Sequence, residues 1–230
     1  MNQLNKKFLL SLLCTFSFCT FFTEAQAQNT AAIVAPKKVE ASNTNSSNTD
    51  PSEVIRVAIE DVLATMRSNE ALYRDHPQQL RSIVEKTVLP YLNITRMAQL
   101  SMGKNWKLAD ATQKESIVRE FQAYLIRSYI NTLYNYRSTK PIMLSRADNG
   151  EDKTTLKVSV ENDQHKTVVL FLRLEKKQSQ WQIVDINVEG VSLVITARSL
   201  FDEDISKKGM NGFIQSLADE NKKAALNDGK

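Results

Sequence analysis

Cysteine is all but missing from this 230-residue chain: the two present, Cys14 and Cys19, both lie near its start. Residues 1–27 read as a secretory signal peptide, with a basic entry at Lys6 and Lys7, an apolar run from Phe8 to Phe22 and a small-x-small exit at Ala25-Gln26-Ala27. The run is short for a membrane span. Neither cysteine follows the small-residue pair that precedes a lipidated cysteine, which argues against a lipoprotein. Cleavage near Gln28 would carry both thiols away, so the mature chain is expected to have neither a disulfide nor a cysteine nucleophile. Its stability must then come from core packing.

Histidine is equally scarce. His76 and His165 lie far apart, each in a polar stretch that reads as a turn, and are taken as surface residues rather than metal ligands or a general base. No G-x-S-x-G, H-E-x-x-H, P-loop or G-x-G-x-x-G pattern occurs, and the six glycines are dispersed. The carboxylate groups Glu60/Asp61 and Asp202/Glu203/Asp204 have spacings common on solvated helix faces. A net charge of +4, spread along the chain, is too mild for a nucleic-acid footprint and leaves room for weak attraction to an anionic bilayer or an acidic partner. These absences predict no catalytic residues, no metal and no nucleic acid.

What is present is apolar periodicity. Residues 28–50 are rich in Asn, Ser, Thr and Ala with few large apolar side chains, and read as a flexible polar leader. Asp50-Pro51-Ser52-Glu53 then offers a cap, a first-turn proline and a capping-box glutamate. Val54, Ala58, Val62 and Met66 follow at four-residue intervals, with Ile55, Ile59 and Leu63 beside them, as in an amphipathic helix. A second helix is expected from Pro77 to before Pro90, and a third from Asn93 to a Gly103 stop. Thr112-x-x-Glu115 is read as the start of the longest helix, reaching about Arg137 with apolar residues so widely spread that both sides should be covered.

After Pro141 the period becomes two. Ile142–Leu144 is a first strand; Leu156, Val158 and Val160, then Val168 to Leu174, then Trp181 to Val188 form three more, joined by short polar turns, so an antiparallel meander is the simplest sheet. Leu193, Ala197, Phe201 and Ile205 are spaced for a helix, and a last helix should follow Gly209. The fold class is therefore α+β: a single domain, 51–222, in which a curved antiparallel meander packs against about six helices, followed by a disordered tail at 223–230.

Apolar faces without catalytic groups suit either a dense core or a shell around an apolar ligand, and periodicity does not separate the two. Two blocks bear on this. One runs Leu89-Pro90-Tyr91-Leu92-Asn93, Met97-x-x-Leu100-x-Met102-Gly103-Lys104-x-Trp106-Lys107, Gln113-Lys114 and Phe121-x-x-x-Leu125-x-x-x-Tyr129. The other runs Trp181-Gln182-Ile183-x-Asp185, Val188-Glu189-Gly190-Val191-Ser192-Leu193-Val194, Arg198-Ser199-x-Phe201 and Gly209-x-x-Gly212-Phe213-Ile214-x-x-Leu217. Together they resemble the MlaC family of periplasmic phospholipid-binding proteins, the toluene-tolerance proteins. Ala197, where an aromatic often precedes the arginine, and Asn211, where Asp is common, depart from the family pattern.

The resemblance implies a soluble periplasmic carrier, acting as a monomer, that holds phospholipid between a curved sheet and helices and needs no cofactor. Its implied partners are an outer-membrane lipoprotein and porin complex and an inner-membrane ABC transporter complex, and its implied role is upkeep of outer-membrane lipid asymmetry. The candidate lipid-binding residues are Phe121, Leu125 and Tyr129 on the long helix, with Val158, Val160, Val168, Leu170, Leu172, Ile183, Ile186 and Val188 on the sheet. Val191 and Val194 are candidates to close one end. Plain core packing is the alternative for each, as an anchoring role is for Trp106. Arg198, Lys207 and Lys208 are candidates to meet a phosphate or an acidic partner, with a solvated face as the alternative. Two rival functions stay open: a proton-transfer enzyme acting on an apolar substrate on a similar cone, of the nuclear-transport-factor-like kind, using Asp185 with Tyr129 or Tyr124, and a periplasmic chaperone for acylated proteins.

Overall fold

A computed structural model describes residues 50–68, 78–134, 142–161 and 166–227. The segments read as a signal peptide and, but for Asp50, as a polar leader lie outside the described residues, as do both histidines.

Helix α1 (Pro51–Ser68) begins where the sequence places it: the Asp50 carboxylate accepts the Ser52 N–H at 3.1 Å. Glu53 does not close a capping box; it accepts from Arg56 at 2.8 Å, because an ion pair along the exposed face is within easier reach. Helix α2 (Gln78–Thr87) stops before a 3-10 turn at Leu89–Tyr91. Helix α3 (Ile94–Met102) is capped by the Asn93 side chain, which accepts the Arg96 N–H at 3.0 Å, and ends at Gly103, whose φ of +52° only glycine adopts readily. The Arg198 guanidinium closes the other end of α3 by donating to the Leu100 carbonyl at 2.8 Å, and its side chain lies against Gly103.

The longest single-run helix, α4 (Ala111–Tyr134), starts earlier than its Thr112 signal. Asp110 and Gln113 exchange reciprocal capping bonds at 2.8 and 3.0 Å, and this box outcompetes the one read at Thr112 and Glu115. Ile117, Phe121, Tyr124, Leu125 and Ile126 are all buried, and α4 packs on α3 and on α2, as its broad apolar surface requires.

Strands β1 (Ile142–Asp148), β2 (Lys153–Glu161), β3 (Thr167–Lys177), β4 (Gln180–Val188) and β5 (Val191–Ser192) form one antiparallel meander in sequence order. Glu189 and Gly190, at φ of +50° and +92°, make the tight turn into β5. The free edge of β4 is covered lower down by Leu92, and the Asn93 N–H donates to the Ile183 carbonyl at 2.9 Å.

Helix α5 spans Leu193–Asn227. The expected pair of closing helices meets here at a kink: Gly209, with φ of +70° and ψ of 172°, is not helical, and the last helix follows it as read; taken together as α5 they make five helices among the described residues. Helix α5 also continues past residue 222 into the segment read as a tail, because Lys222-Lys223-Ala224-Ala225 are good helix formers. Asp185, 2% exposed, caps its start: one oxygen accepts the Ser192 hydroxyl at 2.7 Å and the other the Val194 N–H at 3.2 Å.

Two apolar clusters result. One is helical, built by α3, α4 and α5 around the Phe121, Tyr124, Phe201 and Phe213 rings. The other lies between α1 and one face of the sheet.

Two substitutions test this framework in urea unfolding. Asp185→Ala strips a cap and orphans a buried hydroxyl, and is expected to cost about 2–3 kcal/mol. Gly103→Ala keeps ordinary contact with Arg198 but strains the backbone, and is expected to cost about 1–3 kcal/mol; no measurable loss in either would refute the assigned roles.

Candidate functional site

The α1–sheet interface does not close completely. A cavity of about 240 Å³ lies there. Its walls are Ile55, Ala58, Ile59, Val62 and Leu63 from α1, Val88, Tyr91 and Leu92 from the connection before α3, Tyr129 from α4, and Leu193 at the start of α5. The sheet supplies Val160, Leu170, Leu172, Ile183, Ile186 and Val188. Strand register explains the last group: Leu170 stands opposite Val188 and Leu172 opposite Ile186, and cross-strand partners share a face.

Among the described residues the lining contains no acid, base or nucleophile other than two tyrosines. Both phenols are spoken for. Tyr91 donates to Asp61 at 3.0 Å, and burial, followed by that carboxylate, raises its pKa. Tyr129 is bonded to the Tyr124 hydroxyl; burial, then Tyr124, hold it well above the ordinary phenol range, so it stays neutral. Burial likewise raises Tyr124.

Of the sequence-derived candidates, Tyr129, Val160, Leu170, Leu172, Ile183, Ile186 and Val188 come together at this wall. Phe121, Leu125 and Val194 instead sit in the helical cluster. Val158 and Val168 are buried in the sheet cluster as cross-strand partners of the wall residues Leu170 and Val160 without lining the cavity themselves, and Val191 is 50% exposed on β5. Alternation picks the correct face of a strand but not the depth at which the packing opens. The wall from α1 was missed, although its stripe is plain in the sequence, because an amphipathic face carries the same signature over a core as over a cavity.

Asp185 does not line the cavity, and both its oxygens serve the α5 cap, so it is not placed to pair with Tyr129 in proton transfer. Tyr124 belongs to the helical cluster. Arg198 is engaged at Leu100, Lys207 pairs with Glu203, and Lys208 with Asp204 at 2.9 Å. Trp106 packs against the helical cluster with the Lys114 ammonium 5.8 Å from its ring. The carboxylate groups are held too: Glu60 by Arg56 at 2.7 Å, and Asp202 by Asn105 and then Lys104, which lower its pKa. Of the two departures from the family pattern, Ala197 is fully buried beside Phe201, and Asn211 accepts from Gln113 at 2.7 Å, tying α5 to the start of α4.

Comparison with known proteins agrees with this arrangement. A structure of a phospholipid-binding protein from Ralstonia solanacearum, in complex with a phospholipid, superposes with a TM-score of 0.70 at 29% identity, covering 76% of this chain and 99% of that one. The intermembrane phospholipid transport system binding protein MlaC of Haemophilus influenzae is 22% identical over 173 residues, 74% of this chain and 81% of that protein. The family model described as MlaC protein matches residues 56–219, which include most of α1, the meander and most of α5. The chain belongs to the MlaC family.

Proposed function

We propose that this protein is a periplasmic phospholipid carrier that takes acyl chains into the cavity between α1 and the sheet. It receives and delivers lipid as a monomer, between an outer-membrane lipoprotein and porin complex and an inner-membrane ABC transporter complex, and so sustains the lipid asymmetry of the outer membrane. The observation that carries this reading is the lining: sixteen of the described residues, all apolar except two tyrosines whose hydroxyls are bonded elsewhere. Such a wall offers nothing to a sugar, peptide or nucleotide and suits hydrocarbon. The family membership and the phospholipid named in the Ralstonia solanacearum complex support the same cargo. Among the described residues no helix is long and apolar enough to cross a membrane. The signal peptide read at 1–27 supports the compartment.

Each methylene taken from water into this wall is worth about 0.8 kcal/mol, so an acyl chain is held in proportion to the length it buries. Escape through water is correspondingly slow, and delivery calls for an acceptor docked at the opening.

Leu170→Asp tests the reading by placing a charge on the wall. Native mass spectrometry of protein purified from a bacterial envelope should show several-fold less bound phospholipid, with folding retained. Leu125→Asp, in the helical cluster, should instead unfold the domain or lower its stability by about 3 kcal/mol or more. A folded Leu170→Asp variant with undiminished lipid would overturn the assignment.

A further inference from the structure

The sheet has a second face, which the cavity does not use. Lys153, Thr155 and Lys157 on β2 and Phe171, Arg173 and Lys177 on β3 alternate with the inward residues and point away from α1. Register sets Lys157 opposite Phe171 and Thr155 opposite Arg173. Arg173 is thus diagonal to both Lys153 and Lys157, at roughly 7–8 Å between backbones. The Lys157 ammonium lies 5.7 Å from the Phe171 ring centroid, and Phe171 is 38% exposed.

Two acids of this face are committed elsewhere, and the third, Glu161, stands at the far end of β2 opposite Thr167, so three lysines outnumber it. Asp185 is buried in the α5 cap, with Arg173 at 3.7 Å, and Glu175 is held by Arg96 at 2.8 Å. Lys153, Lys157 and Lys177 have no ion pair among the described residues, whereas Arg56, Arg146 and Lys208 are pinned to carboxylates. The face therefore presents net positive charge around one exposed aromatic ring.

We propose that this outer face is a docking surface for an anionic phospholipid bilayer. Charge complementarity names the partner's sign, and the type of cation names its kind. Flexible lysines suit laterally mobile headgroups, whereas a shaped acidic protein surface is read by fixed, bidentate guanidinium groups, and the one arginine here is turned toward Asp185. An exposed ring with a basic surround is also the chemistry of interfacial anchoring. Docking through this face leaves the cavity on the far side of the sheet, so the protein is held at the membrane surface without exposing its interior to the lipid. The inference does not depend on what the cavity holds.

The test is co-sedimentation of the mature chain with phosphatidylethanolamine–phosphatidylglycerol vesicles, against phosphatidylcholine vesicles, at low and high salt. Binding is expected only to the anionic vesicles and should weaken with salt. The double variant Lys153→Glu and Lys157→Glu should bind roughly tenfold or more weakly. Lys222→Glu with Lys223→Glu, the same charge change at the end of α5, should bind as the unmodified protein does. A polarity-sensitive dye on Phe171→Cys, attached to a mature chain read as free of other thiols, should report a less polar setting when anionic vesicles are added. Equal binding to both vesicle types, equal loss in the two double variants, or an unresponsive dye would overturn the proposal; an acidic protein partner would give the first of these. Bound phospholipid is measured in the same samples, so a failure of the carrier reading shows as missing cargo, separately from vesicle binding.

Discussion

Two apolar walls that face each other without meshing are the constraint on which this structure depends. A ligand that binds the folded chain and not the unfolded one stabilises the fold by mass action, so cargo and fold are linked: what fills the gap also stabilises the protein that carries it.

The polar groups hold the walls in position rather than enter the gap. The Asp50 carboxylate, at the start of α1, accepts from Arg146 of β1 at 2.7 Å, and Asp61 in its middle accepts from Tyr91. On the other side, Asp185 fixes the turn from β5 into α5 and so places Leu193 at the cavity. The helical cluster, with its interlocked aromatic rings, joins α3, α4 and α5 and meets this site at Leu92 and Tyr129, which pack against the cluster and line the cavity. Arg198 belongs to the helical side, where it caps α3.

Much of this was legible beforehand. The change of period after Pro141 marks the passage from helices to meander, and Asp50, Asn93 and Gly103 mark helix ends where the structure has them. The start of α4 was read two residues late because Asp110-x-x-Gln113 and Thr112-x-x-Glu115 are both plausible boxes, and only packing decides between them. The site was legible in part, for a related reason. Leu170, Leu172, Ile186 and Val188 alternate correctly to face α1, but Phe121 and Leu125 have the same apolar character and face a solid core. Hydrophobicity states that a side chain avoids water, not whether its neighbour is protein or lipid.

The most direct measurement is photo-crosslinking with a phospholipid whose acyl chain carries a diazirine, followed by mapping of the modified residues. The account predicts adducts on α1 around Ile59 and Val62 and on β3 and β4 around Leu170 and Val188. Adducts confined to the helical cluster or to the outer face of the sheet would contradict it.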